Sequence, residues 1–455
     1  MKELVLESTI DFARLHAAFA ERYETFLLDD SGPRRGRRLA ILGVDPRAHY
    51  RWHRGEGWME EGGARGRIDD PFDALRRLHA GLPFARGPED VPFTGGLLGY
   101  LGYDAGRAVE VVPDENPPDS SLPDLAFARY DLVVVHEDGA PLRIFAGADD
   151  AEERHALARS VIADAADRPP VVPFVAGSRR PAVSGHAPEE YRAAIEEIRE
   201  AIRDGEVYQV NLTQRFLAAC EAEPLALFEA LRLRHPAAYG AAFRERGAWV
   251  LSSSPECYLE VDGRRARTRP IKGTAPRHPD PVEDARCADA LARSEKDRAE
   301  LAMIVDLVRN DLSRVCRPGS VVVPEHAALE PVPTVHHLVS TVEGELEPDR
   351  DVFDLLRAAH PAGSITGAPK IAAMEVIDRL ERTRRGVYTG GIGYVGRDGR
   401  AAFNVAIRTV VLEAGWARVQ GGGGIVIDSE AGSEYDESVA KIRGLLEVIG
   451  AEVRT

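Results

Sequence analysis

The chain has 455 residues, too many for one ordinary core, because single cores stop growing near roughly 250–300 residues. Apolar residues make up 44% and charged residues 29%, which excludes a disordered chain. The 58 basic and 74 acidic residues leave a formal charge of −16, which argues against nucleic acid as the main partner but leaves an anionic small substrate open, since local charge decides that.

In chain order, Met1 to Phe19 shows no apolar core followed by a small-residue cleavage site, so no signal peptide is expected. Leu125 to His136 reads as a strand, Glu137-Asp138-Gly139 as a hairpin turn, and Leu142 to Phe145 as the return strand. Asp149 to Ala166 reads as a helix with Asp149 as N-cap. Proline and glycine then cluster from Asp167 to Pro181 and periodicity disappears. This seam predicts an N-terminal subdomain over 1–168, a linker over 169–186 and a larger part over 187–455. Pro188 to Arg203 is an amphipathic helix, with Tyr191, Ala194, Ile195, Ile198 and Ile202 on one face. Val207 to Phe216 is a strand. Trp249 to Ser252 and Cys257 to Val261 read as a pair of short strands, and Ser294 to Val315 as a long helix capped by Ser294. Tyr388 to Asp428 reads as a meander with strands Gly390 to Val395, Ala401 to Leu412, and Trp416 to Ile427. A last helix spans Ser433 to Val448. Strands and helices are grouped, not alternating, so the class is α+β with antiparallel sheets. No run approaches 18 apolar residues, so no membrane span is expected. The four cysteines are far apart and form no CxxC pair, which suits buried thiols in a reducing cytoplasm.

Two motifs mislead. Gly391-Ile-Gly393-Tyr-Val-Gly396 spells the dinucleotide fingerprint, but a hairpin and another strand follow where a helix is needed. Gly363-Ser-Ile-Thr-Gly-Ala-Pro-Lys370 resembles a phosphate loop, but its second glycine is one place early. The glycine-rich segments Thr94 to Asp104 and Thr389 to Asp398 also echo one another.

Three constellations could carry chemistry. Asp297 and Glu300 share one helix face, and Glu434, Glu437 and Lys441 lie at the start of the last helix. If these helices meet, their acids need a cation between them, and Mg²⁺ needs only one or two direct carboxylates. Two solvated faces account for the same spacing. Lys272 sits among Pro, Ile, Gly and Thr, a setting that frees its lone pair, with Glu256 sixteen residues earlier as a neighbouring acid. A loop lysine paired with a surface acid explains the pattern equally well. Gly421 to Gly424 expose backbone N–H groups that can hold a carboxylate, or allow tight packing. His337 offers an acid/base imidazole, or a structural one.

Several motifs occur together and in order: Pro270-Ile-Lys272-Gly-Thr274, Ala299 to Asp311, His337-Leu-Val-Ser, Gly363 to Lys370, Gly421 to Ser429, and Ser433-Glu-Tyr-Asp-Glu437. The chain resembles the chorismate-utilising enzymes, a family that includes anthranilate, aminodeoxychorismate, isochorismate and salicylate synthases. The match is dense from Tyr191 onward and thinner before the seam, as in Gly95 to Asp104. The resemblance implies an anthranilate-synthase-like chorismate-binding fold, two packed antiparallel sheets surrounded by helices. Anthranilate synthases carry alanine where this chain has Lys272, and isochorismate and salicylate synthases carry a lysine base in place of Gln209. Lys272 with Gln209 therefore resembles the aminodeoxychorismate, folate and p-aminobenzoate branch, with anthranilate synthase component I as the alternative. His235-Pro-Ala-Ala-Tyr239 points the same way, although the family asparagine is His235 here. Leu6-Glu-Ser8 is similar to the start of the tryptophan pocket of relatives.

The resemblance also implies roles. Mg²⁺ is held by Glu300 and Glu437, with Glu434 and Asp297 acting through waters. Gly421, Gly422, Gly423, Gly273, Thr274 and Lys441 hold the ring carboxylate, Arg408 and Tyr388 the enolpyruvyl carboxylate, and Ser364 lies in the pocket. Lys272 is the nucleophile, Glu256 the acid, and His337 stands near the ring. No Gly-x-Cys-x-Gly turn is present, so ammonia is expected from a separate glutamine amidotransferase subunit, with chorismate as the other partner.

Overall fold

Among the described residues two sheets carry the chain, one of thirteen strands and one of twelve. The computed structural model describes residues 1–8, 10–32, 38–82, 85–332 and 335–453. The first sheet runs from Lys2–Leu6 through Leu142–Ala146, Leu132–Glu137, Leu39–Val44 and Thr25–Asp30 to Tyr239–Glu245 and Ala248–Ser254. It continues through Thr409–Glu413, Trp416–Ile425 and Gln209–Ala219 to Arg180–Ser184 and Ala451–Val453. Only the last of these pairs is parallel among the described strands. The second sheet runs from Ile271–Pro276 through Val335–Glu345, Arg265–Arg269, Cys257–Asp262 and Ala401–Val405 to Gly391–Gly396. Gly96–Leu101, Leu125–Tyr130, Ala48–His53, Glu56–Glu61 and Ala64–Arg67 complete this path, and the twelfth strand, Val322–Pro331, pairs with Val335–Glu345 beside it; in the first sheet the thirteenth, Gly367–Ala368, pairs with Gln209–Ala219.

The sheets stack face to face. Phe26, Ile41, Phe243 and Val250 of the first meet Leu98, Tyr100, Ala126 and Ile392 of the second in one buried cluster, with the Tyr100 and Phe243 rings stacked at 5.6 Å. Burial of that many apolar side chains is the main drive for assembly. Helices Phe12–Ala20, Ala151–Ala166, Pro224–Arg234 and Ala431–Ile449 cover the outer face of the first sheet. Pro71–Ala80, Glu295–Ser313 and Val352–Ala359 pack with the second. The expected α+β class with packed antiparallel sheets is what the structure has. No helix among the described residues is long and apolar enough to cross a membrane.

Each sheet draws strands from both sides of the 169–186 stretch. Phe26 pairs with Phe243 in the first sheet, and Leu101 pairs with Gly391 in the second. Arg180–Ser184, inside that stretch, is itself a strand. The two segments that echo one another are hydrogen-bonded neighbours, Gly99 opposite Gly393, and the strand Gly391–Gly396 turns into a second strand, which leaves no dinucleotide loop.

Three expectations change, for one reason. Leu125 to His136 is two strands, Leu125–Tyr130 in the second sheet and Leu132–Glu137 in the first. Ala401 to Leu412 is broken in the same way after Val405. Ala248–Ser254 and Cys257–Asp262 do not pair with each other but belong to different sheets. In each case the chain crosses from one layer to the other at a corner. Smaller differences concern caps: Asp150, not Asp149, precedes the Ala151–Ala166 helix, whereas Ser294 does accept the Asp297 N–H as expected. Leu6 lies on the edge strand Lys2–Leu6 and the Ser8 hydroxyl accepts the Ile10 N–H. Neither lines the 270 Å³ cavity between the sheets, which is bounded by Leu28, Asp30, Tyr239, Glu260 and Tyr394.

Candidate active site

Two of the corners lie side by side. Ala248–Ser254 pairs with Thr409–Glu413 in the first sheet, and their continuations Cys257–Asp262 and Ala401–Val405 pair in the second. The crossing segments are tied by Val405 N–H to Glu256 O (3.0 Å), Ser253 N–H to Arg408 O (3.1 Å) and the Ser254 hydroxyl to Val405 O (2.6 Å). Glu256 and Arg408 occupy these corners, where side chains can enter the space between layers. Arg408 takes φ +53°, a left-handed conformation that costs a non-glycine residue about 1–3 kcal/mol. Tyr388 is brought to the same corner, because Thr389 N–H donates to Ala406 O (2.9 Å) and Ala406 N–H to Gly390 O (2.7 Å). Burial pushes the Tyr388 phenol up to about 12, with the charge of Arg408 among the groups opposing it.

Lys272 belongs to an edge strand, Ile271–Pro276. Register with Val335–Glu345 slips around Gly273, which takes φ +78°. That glycine is needed twice over: a Cβ there would stand 3.0 Å from the Asp297 carboxyl, so the strand presses directly on the Glu295–Ser313 helix. The Lys272 amine donates to the Ser364 carbonyl at 3.2 Å. Burial lowers its pKa, against the opposing pull of Glu256. Burial likewise raises the Glu256 carboxyl, opposed by Lys272, the Ser364 hydroxyl, the Ile271 N–H and Lys441. Both shifts move toward an uncharged amine beside a protonated acid. Thr274 and His337 face one another across the next register position, hydroxyl to Nδ1 at 3.0 Å. The loop lysine paired with a surface acid is therefore not what the structure shows.

The acids of the two helices do approach. A Cβ at Gly423 would lie 3.1 Å from Glu434 Oε2 and 3.7 Å from both Glu437 Oε1 and Lys441 Nζ. Lys441 Nζ donates to Gly422 O (3.0 Å) and pairs with Glu437 (2.7 Å). Ser429 donates its hydroxyl to Glu434 Oε1 at 2.7 Å. Glu300 is pushed up by burial and by the neighbouring charges of Asp297 and Glu434, against Lys272 and Lys296. Burial acts to raise Glu437 too, but Lys441, Lys296 and Lys272 together hold it below the usual carboxylate range. Glycines 421 and 422 have different neighbours: Gly421 abuts Ile442 of the last helix, and Gly422 abuts Leu212 and Thr213. Of the residues singled out from sequence, Lys272, Glu256 and Ser364 thus share one site. Glu434, Glu437, Lys441 and Gly423 form a second group, which acts electrostatically on the first and on Glu300.

Among the described residues no group of three or more His, Cys, Asp or Glu is arranged to hold a metal ion. Two carboxylates plus waters are enough for a hard cation, and the donors here are all carboxylate oxygens. Burial is the main cause of the raised Glu300 carboxyl, and the charges of Asp297 and Glu434 add to it; this all-oxygen donor set is of the kind that suits Mg²⁺. Lys296, 3.9 Å from Glu300, is a further cation of the site whose i,i+4 spacing is readable in the sequence. Lys370 of the phosphate-loop lookalike is spent on Asp311, at 2.8 Å, a pairing that no local spacing reveals.

Comparison with known proteins agrees with this geometry. Residues 23–447 match the family described as chorismate binding enzyme. The chain is 42% identical over 380 residues to aminodeoxychorismate synthase component 1 of Salmonella typhimurium, covering 83% of this chain and 82% of that protein. It is 40% identical over 431 residues to anthranilate synthase component 1 of Thermus thermophilus, covering 93% and 92%. The crystal structure of anthranilate synthase component I from Streptococcus pneumoniae matches with a TM-score of 0.79 at 30% identity, covering 90% of this chain and 92% of that one. A match over nearly the whole length, in sequence and in fold, places the chain in the family of chorismate-binding enzymes, as a chorismate-utilising member.

Proposed function

We propose that the chain aminates chorismate, as an aminodeoxychorismate synthase component I, to give 4-amino-4-deoxychorismate for the p-aminobenzoate and folate branch. The observation that carries this reading is the half-buried Lys272 beside the buried Glu256, a setting that shifts the amine toward its neutral form and the carboxyl toward its protonated form. The relatives named aminodeoxychorismate synthase component 1 support it, and the term component implies a partner, for which a glutamine amidotransferase supplying ammonia is the natural choice.

The chemistry balances through these residues. Hydroxide is a poor leaving group, so Glu256 gives its proton to the C4 oxygen, which departs as water. The Lys272 lone pair forms a bond to C2 as the ring double bonds shift, leaving a cationic secondary amine. Ammonia then bonds to C4, the double bonds shift back, and Lys272 leaves as a neutral amine. The new C4 ammonium returns one proton to Glu256, which restores both residues. Dividing one hard displacement into two is the benefit of covalent catalysis. Arg408 and Tyr388 hold the enolpyruvyl carboxylate, the guanidinium by a two-oxygen fork. Lys441, Gly423 and the 273–274 turn orient the ring carboxylate. Glu300 and Glu437 would hold Mg²⁺, whose contribution is to draw charge from the conjugated carboxylate.

Incubation of the purified chain with chorismate, Mg²⁺ and ammonium, followed by product mass, tests the proposal. Aminodeoxychorismate is expected, and anthranilate with released pyruvate rejects it in favour of the other branch. Lys272→Ala should lower turnover at least about 100-fold and abolish any trappable covalent adduct. Unchanged turnover removes the lysine from the mechanism.

A further inference from the structure

Glu256 also lines a small, partly open space with room of about 10 Å³ for the centre of a water molecule, about the volume one water needs. It is bounded by Glu256, Tyr258, Thr268, Val308, Asp311 and Ser364, among others. Two of these lining residues each carry a buried polar atom without a hydrogen-bond partner among the described residues, Glu256 Oε1 and the Tyr258 hydroxyl. Their residues are only 6% and 5% exposed. A buried polar atom left unpaired costs about 1–3 kcal/mol, so two such atoms on residues that line one water-sized space point to a common partner. The backbone is built for this. Register against Ala401–Val405 slips between Cys257 and Leu259, a bulge that breaks strict alternation and leaves Cys257, Tyr258 and Leu259 all buried. Bulges beside active sites commonly re-aim a side chain.

We propose that a water held in this space joins the Tyr258 hydroxyl to Glu256 Oε1, and that Tyr258 is a positioning residue for the acid. The link rests on the assignment of Glu256 as the proton donor. It fixes which carboxyl oxygen faces the substrate and which faces the protein, and it offers a donor to the carboxylate left after proton transfer. The other groups facing Glu256 act from elsewhere: Lys272 from the edge strand, Lys441 from the last helix, and the Ser364 hydroxyl. Across the space, the Asp311 carboxylate is occupied by Lys370, both oxygens accepting at 2.8–2.9 Å. It therefore acts on the Tyr258 phenol only through its charge.

A donor to the ionised form lowers an acid's pKa, so removing the donor raises it. The test follows the infrared carbonyl stretch of the protonated Glu256 carboxyl against pH, assigned by its loss in Glu256→Gln. In Tyr258→Phe the midpoint should move up by about one pH unit. A folded Tyr258→Phe protein with an unmoved midpoint overturns the proposal. A high-resolution crystal structure of the unaltered chain gives a second arm that no folding failure can spoil. Density for a water within hydrogen-bond reach of both atoms supports the link, and an empty or side-chain-filled space overturns it. The titration needs no turnover, so it separates from the acid assignment itself, which fails if Glu256→Gln retains full activity.

Discussion

A methyl group added at Gly422 would collide with the Leu212 carbonyl and lie 2.6 Å from Thr213 Cα, main chain that cannot move aside. One added at Gly423 would meet the far ends of Glu434, Glu437 and Lys441, which can. Adjacent glycines on one strand therefore serve different ends, one the pairing of Gln209–Ala219 with Trp416–Ile425 and the other the site. Gly422→Ala should destabilise the fold by about 1–3 kcal/mol. Gly423→Ala should leave stability within about 0.5 kcal/mol but raise KM for chorismate roughly tenfold, the equivalent of one displaced hydrogen bond. Thermal melts and steady-state kinetics on the two variants check this. A lower melting temperature for Gly423→Ala, with KM unchanged, would reverse the assignment. The sequence announced that four glycines in a strand had a reason; which glycine answered to which reason needed the neighbouring strand and helix.

At the scale of elements, the Glu295–Ser313 helix is pinned to the start of Lys370–Leu380 by Asp311 and Lys370. Burial raises the Asp311 carboxyl from 3.8 to about 6, in spite of Lys370. The folded state thus holds this proton where the unfolded chain has lost it, so stability falls as pH rises from about 4 to about 6 and is level above that. The pair contributes a loss on the order of 2–3 kcal/mol across that window. Asp311→Asn should flatten this part of the curve, measured as the difference between variant and parent urea midpoints from pH 4 to 7. A difference that does not vary with pH would show that Asp311 titrates normally. The elements that the sequence did reveal, from Leu125 onward, have the expected types and near-expected bounds because helices such as Pro188–Arg203 bury a face at the expected spacing; those before Leu125 and several helices after it were not read. Nor were the corners. Alternation shows that a strand has one buried face, but it does not say which sheet the strand joins. Asp131 and the 406–408 segment therefore passed as ordinary strand interior, though they carry the chain between layers. The candidate site was legible as a set of residues, and illegible as a place, for the same reason: Glu256 and Arg408 stand at corners.

For the molecule as a whole, the pairing pattern sets how it comes apart. The strand Thr25–Asp30 lies between Leu39–Val44 and Tyr239–Glu245, and Gly96–Leu101 lies between Leu125–Tyr130 and Gly391–Gly396. Removing residues 1–168 would therefore strip one of the two hydrogen-bonded neighbours from each of Tyr239–Glu245 and Gly391–Gly396 and uncover Phe243, Val250 and Ile392 of the inter-sheet cluster. Open edges and exposed apolar faces of that size lead to aggregation in place of a stable half. Residues 187–455 made alone should be insoluble or molten, while the full chain should unfold in one cooperative transition seen alike by far- and near-ultraviolet circular dichroism. The exposed stretch around Val172 and Val175 offers a direct check: a single protease cut there should leave the two pieces bound together and able to consume chorismate. A soluble 187–455 fragment with native near-ultraviolet signal, or two resolved transitions in the full chain, would show that the sheets are divisible at the seam.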